Sequence, residues 1–117
     1  MDHKEMDVWK ESISFVTDIY SFTKDFPKDE IYGLTSQIRR SAISIPSNIA
    51  EGLSRKSDVE TIQFLYITIG SISELETQLI ISEKIGLTSD VSEYIEKLSH
   101  IKKLTLGLVR FLKSKKK

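Results

Sequence analysis

The chain has 117 residues, no cysteine, two histidines, five glycines and two prolines, and its 17 basic side chains balance its 17 acidic ones. Lack of cysteine excludes disulfides, thiolate metal sites and cysteine nucleophiles, and two histidines, His3 and His100, leave a histidine metal centre or triad almost nothing to work with. No run approaches the roughly 20 apolar residues of a membrane span, and the polar start MDHKEMDVWK does not read as a secretory signal, so one cytoplasmic, all-α domain of long helices is expected.

Four segments carry helical periodicity. Residues 8–24 place Val8, Trp9, Ile13, Phe15, Val16, Ile19, Tyr20 and Phe22 on one half of a wheel, which predicts a first amphipathic helix. Phe26-Pro27 ends it, because the residue before proline avoids helical angles. A second helix is predicted over 29–52, with Ile31, Leu34, Ile38, Ala42, Ile45 and Ile49 as its core stripe. Pro46 lies inside it, removes a backbone donor and predicts a kink or local unwinding. A third helix, 58–85, opens at Ser57 and Glu60, which have capping-box spacing, and stops at Gly86. Its core stripe reads Ile62, Leu65, Ile69, Ile72, Leu75, Leu79 and Ile80. The fourth, 90–113, repeats Val91, Tyr94, Leu98, Ile101, Thr105, Leu108 and Leu112 at spacings suited to bundle packing. Short connections make successive helices antiparallel neighbours, so an up-down-up-down four-helix bundle is expected.

Some residues do not fit a simple core. On the second helix Gln37, Arg40, Ser41, Ser44, Asn48, Glu51 and Arg55 form a polar stripe, with Ile43, Pro46 and Ala50 as a second, small apolar patch on the other side. Two apolar stripes suggest contacts on more than one side. On the third helix Glu76 sits on the apolar arc with Ile69, Ile72 and Ile80. A buried carboxylate needs a partner, and Arg39 or Arg40 of the second helix is the expected one. Glu74 points to the polar side. His100 is expected on the solvent side of the fourth helix, and Tyr20, Tyr66 and Tyr94 at core spacing are expected to pack.

Charge alternates along the chain. Residues 1–30 hold four basic and eight acidic side chains, net −4, and 31–57 hold four and one, net +3. Residues 58–86 hold one and five, net −4, and 87–117 hold eight and three, net +5. Two basic segments are thus available to a polyanion although the whole chain is neutral. Catalysis is not expected. Glu51, Glu74 and Glu76 are general acid–base groups by type, but no nucleophile has an evident base, and there is no metal-ligand spacing or glycine-rich phosphate loop. Cofactors, metals and a small-molecule substrate are likewise not expected.

Val8-Trp9, Phe26-Pro27-x-x-Glu30-x-Tyr32-Gly33-Leu34, QIRRSAISIPSNIAEGLSR from Gln37 to Arg55 and GSISELETQL from Gly70 to Leu79 together resemble the four-helix bundle proteins encoded by intervening sequences of bacterial 23S ribosomal RNA genes. The likeness runs from Val8 to about Leu112, and SIPSNIAEG is its most specific part. Ser12 stands near where an alanine is expected, and Leu53-Ser54 replaces a more glycine-rich link. The resemblance implies a homo-oligomer, with a ring of five the leading arrangement. It also implies kinship with the accessory proteins of diversity-generating retroelements, pentameric bundles whose basic surface binds RNA and a reverse transcriptase. On the positions that match, it adds weight to Arg39, Arg40, Ser44, Asn48, Glu51, Glu74, Glu76 and Gln78, which are expected to form a polar network that sets subunit register. Arg39, Arg40, Arg55, Lys56, Lys113, Lys115, Lys116 and Lys117 are the residues expected to meet RNA. A non-enzymatic oligomeric scaffold that binds RNA or an RNA-handling protein is the leading expectation, and an assembly module with no nucleic-acid role is its rival.

Overall fold

A computed structural model of the chain describes residues 2–115. Helices α1 (Asp7–Thr23), α2 (Leu34–Leu53), α3 (Asp58–Lys84) and α4 (Ser92–Ser114) follow one another, with 3₁₀ turns at His3–Glu5 and Lys28–Glu30. Neighbours in sequence pack side by side, α4 returns to α1, and the diagonal pairs do not approach closely. The architecture is the expected up-down-up-down four-helix bundle, 51 × 22 × 20 Å. The α2–α3 seam is the most extensive and the α1–α4 seam the least.

Local chemistry sets the helix ends. The Ser57 hydroxyl accepts from the Glu60 amide at 3.2 Å and caps α3. Gly86, at φ 86°, takes the left-handed position after α3, and the Leu87 amide donates back to the Ser82 carbonyl at 2.9 Å. Helix α2 begins at Leu34, five residues later than the periodicity suggests. The chain after Pro27 first makes the 3₁₀ turn, and Gly33 departs from helical angles before a Glu30 carboxylate oxygen accepts from the Leu34 amide at 3.2 Å. Pro46 lies within α2, and the helix is not interrupted there.

The core holds Phe15, Ile19, Ile38, Ile45, Ile49, Leu65, Ile72, Leu75, Leu79, Leu98, Ile101 and Leu112. It differs from the sequence expectation most on α3. The buried face there is Thr61, Leu65, Thr68, Ile72, Leu75, Gln78, Leu79 and Ser82, while Ile62 and Ile69 are half-buried and Ile80 is exposed. The cause is steric. Helix α2 brings Ser41, Ala42 and Gly52 to the seam, and a methyl added at Gly52 would meet Cβ of Phe64 at 2.7 Å. Glycine at 52 therefore lets α2 come closer to α3 than a larger side chain would. The hydroxyls of Thr68, Ser82 and Thr105 each donate to the carbonyl four residues earlier, which satisfies them without a partner from another helix. On α1, Ser12 and Thr23 are buried, whereas Ile13 and Tyr20 are exposed.

Candidate functional site

The polar stripe of α2 meets α3 along part of its length. Gln37, Arg40, Ser41 and Ser44 face Ser71, Glu74 and Gln78 across a shallow cavity of about 200 Å³. Four of the eight residues expected to form a polar network, Arg40, Ser44, Glu74 and Gln78, therefore come together. They are not bonded into a network within the chain. Ser44 donates to the Ser41 carbonyl at 2.7 Å, and among the described residues no carboxylate pairs with Arg40. Gln78 is 7% exposed, and its side-chain oxygen is buried without a hydrogen-bond partner, a costly state for an amide unless something completes it.

The other four go elsewhere. Asn48 donates to the Ser44 carbonyl within its own helix at 2.8 Å. Glu51 pairs with Arg55 one turn on. Arg39 turns towards α1, donating from Nε to the Thr23 hydroxyl at 2.8 Å and stacking 4.4 Å over the Tyr20 ring. Glu76 is exposed and has no ion-pair partner among the described residues, which corrects the expectation of a buried Glu76–arginine pair. Of its neighbours in the assumed arc Ile72 is buried, Ile69 half-buried and Ile80 exposed, so Glu76 lies on the water side of the arc's edge. The second apolar patch of α2 also divides: Pro46 is buried, Ala50 half-buried and Ile43 exposed.

The cations expected to meet RNA form two groups. Arg55 and Lys56 follow α2, and Lys113 and Lys115 end α4. Antiparallel packing brings all four to the end of the bundle where α3 begins. Part of that charge is offset, since Arg55 holds Glu51 and Lys115 holds Asp58 at 3.4 Å. Lys113 donates to the Tyr66 hydroxyl at 3.1 Å. Lys116 and Lys117 lie outside the described residues. Arg39 and Arg40 stand about 24 Å from Arg55 along the helix, at 1.5 Å per residue.

Those two arginines border a second cleft, of about 510 Å³, between the end of α1 and the start of α2. Tyr20, Ile31, Tyr32 and Ile43 give it aromatic and apolar walls. Sequence reasoning treated Tyr20 and Tyr66 as packing groups, but both are exposed, and Tyr32 is 97% exposed. Only Tyr94 packs as expected, against Phe22 at 4.4 Å between ring centres.

On the α1–α4 side, Glu11, Asp18 and Glu96 line a shallow groove with Lys97 and His100, which is exposed as expected. The Lys97 ammonium donates to Asp18 at 2.9 Å, and this bond raises its pKa above the ordinary lysine value. At the start of α4 the Ser92 hydroxyl and amide both donate to Asp90, at 2.7 and 2.9 Å, and hold that carboxyl below the ordinary aspartate value. Among the described residues no three His, Asp or Glu side chains converge closely enough to hold a metal ion, and no helix is long and apolar enough to cross a membrane.

Compared with known proteins, the chain matches the sequence profile of the 23S rRNA-intervening sequence protein family over residues 4–107. In three dimensions it is similar to the crystal structure of a protein with unknown function from the S23 ribosomal protein family of Bacteroides thetaiotaomicron VPI-5482. The TM-score is 0.77 at 23% identity, covering 87% of this chain and 97% of that one. At that identity the likeness bears on fold alone. No curated protein matches the chain.

Proposed function

The chain belongs to the 23S rRNA-intervening sequence protein family, and from that premise we propose a non-enzymatic bacterial, cytoplasmic scaffold that assembles with copies of itself and binds RNA or an RNA-handling protein through basic surfaces. A ring of five is the leading arrangement. The observation that carries the assembly reading is the outer side of α3. Val59, Tyr66, Ile67, Ile81 and Ile85 are all exposed, Ile67 at 50% and Ile85 at 58%. At the helical period they fall within about a third of the wheel, opposite Leu65, Ile72 and Leu79. The same sector also carries Gln63, Glu74 and Thr77, and a helix with apolar groups at both ends of its outer side and polar ones between fits burial against a second copy. The open Gln78 oxygen, beside Arg40 and Glu74, which have no ion-pair partner among the described residues, fits the same reading, because a donor from a second copy would complete it.

Support for RNA is the gathering of Arg55, Lys56, Lys113 and Lys115 at one end of the bundle. In an assembly this patch is repeated, and repeated weak sites gain avidity. The test has two arms. Light scattering after size exclusion should give several times the 13.4 kDa chain mass; a single-chain mass at micromolar concentration rejects assembly. Titration with mixed RNA should show binding that weakens with salt, with a log–log slope of roughly 0.7 per phosphate neutralised on single strands. Absence of binding at low salt rejects the nucleic-acid role and leaves an assembly module.

A further inference from the structure

We infer that the cleft between the end of α1 and the start of α2 is a stacking subsite for a nucleotide of single-stranded RNA. The inference rests on the RNA reading above and names the part of the ligand that this cleft takes. Tyr32 is the first reason. At 97% exposure its ring gains almost nothing from the fold of the chain that carries it, and it stands at the rim of a cleft with its aromatic face free to stack.

The second reason is the cationic wall. Arg39 is not a loose surface side chain. Its Nε donates to the Thr23 hydroxyl at 2.8 Å, a terminal nitrogen reaches the Tyr20 carbonyl at 3.4 Å, and its guanidinium lies over the Tyr20 ring. Arg40 stands next to it. Neither arginine has a carboxylate partner among the described residues, and no acidic side chain lines the cleft. Two uncompensated guanidiniums favour an anion and match phosphate geometry.

The third reason is the fit between walls and chemistry. Ile31 and Ile43 supply apolar surface, and about 510 Å³ lies within the range of small-ligand sites, roughly 300–1,000 Å³. Thr35, 5% exposed, belongs to the same wall, and its hydroxyl is buried without a partner. Aromatic faces with arginines fit a base and a phosphate in one unit. An unpaired base offers both faces to Tyr32 and to the Arg39–Tyr20 stack, whereas a base within a duplex does not.

The experiment uses the full chain and a fluorescein-labelled single-stranded oligouridylate, with a duplex of equal length in parallel, read by anisotropy at low salt. Tyr32→Ala should weaken single-strand binding roughly 5- to 150-fold, the worth of one stacked base. Tyr32→Phe should keep it, duplex binding should not change, and Arg39→Gln should weaken both. Melting temperature and scattering mass of Tyr32→Ala should equal those of the unaltered chain. Wild-type single-strand binding that Tyr32→Ala leaves intact overturns the subsite while the RNA scaffold stands. No RNA binding by the unaltered chain overturns both. A change of mass in Tyr32→Ala assigns the cleft to a contact between copies and also overturns the subsite.

Discussion

A hydroxyl inside this bundle is satisfied when the carbonyl one turn earlier accepts its proton, and Thr68, Ser82 and Thr105 all follow that rule. Thr23 does more: it donates to the Ile19 carbonyl at 2.9 Å and accepts from Arg39, tying α1 to α2. Thr35 does neither. Thr23→Val should therefore cost about 2 kcal/mol, since a bond to a charged group is lost, and lower the melting temperature by about 8 °C. Thr35→Val should leave it unchanged or raise it, because an unpaired buried hydroxyl gives way to a methyl of the same shape. Thermal melts of the two variants side by side check the contrast. Glu76→Ala belongs to the same scale. An exposed carboxylate without a partner should change stability by no more than about 0.5 kcal/mol, and a large loss in chemical denaturation would show that Glu76 is paired in the assembled protein.

Helices meet here through small residues and a few polar ties. Gly52 lets α2 lie against Phe64 of α3, and its carbonyl accepts from the Thr61 hydroxyl at 2.7 Å. Alanine is the better helix former by about 1 kcal/mol, yet Gly52→Ala should destabilise, because overpacking costs roughly 1–3 kcal/mol. Urea denaturation decides which effect wins. Across the α1–α4 seam Lys97 pairs with Asp18, and Asp90 accepts from the Ser92 amide at the start of α4. Their pH signatures are opposite. The Lys97 pKa is raised on folding, so its contribution is complete below the unfolded lysine pKa and is lost as pH rises through the folded one. The Asp90 pKa is depressed, so its contribution is complete above the unfolded aspartate pKa and is lost as pH falls through the folded one. Melting-temperature differences from the unaltered chain should thus close at alkaline pH for Lys97→Met and at acid pH for Asp90→Ala.

At the scale of the whole molecule, one chain leaves too much of α3 uncovered. Its inner side holds Thr61, Thr68, Gln78 and Ser82 beside leucines, while its outer side carries Val59, Ile67, Ile81 and Ile85. Placing charges on that outer side should separate assembly from folding. Ile67→Glu with Ile81→Glu is expected to reduce the scattering mass to that of one chain while circular dichroism keeps its helical signal. An unchanged mass would move the contact to another face, and a lost helical signal would show that these residues are needed within the bundle.

Length, punctuation and periodicity determined much of this protein by themselves. Four helices in antiparallel order, the stop at Phe26-Pro27, the cap at Ser57 and the end at Gly86 are legible because each depends on residues within a turn or two of one another. The core seam of α4 is legible for the same reason: its apolar residues occupy one face only. The inner face of α3 was not legible, because apolar residues lie on both sides and the choice between them is made by the glycine and small side chains that α2 presents. The positions of Glu76, Arg39 and the exposed tyrosines were decided only in three dimensions. Arg39 meets Thr23, Lys97 meets Asp18 and Lys113 meets Tyr66 across separations of 16, 79 and 47 residues, and no local pattern in the chain encodes which distant surface a side chain will meet.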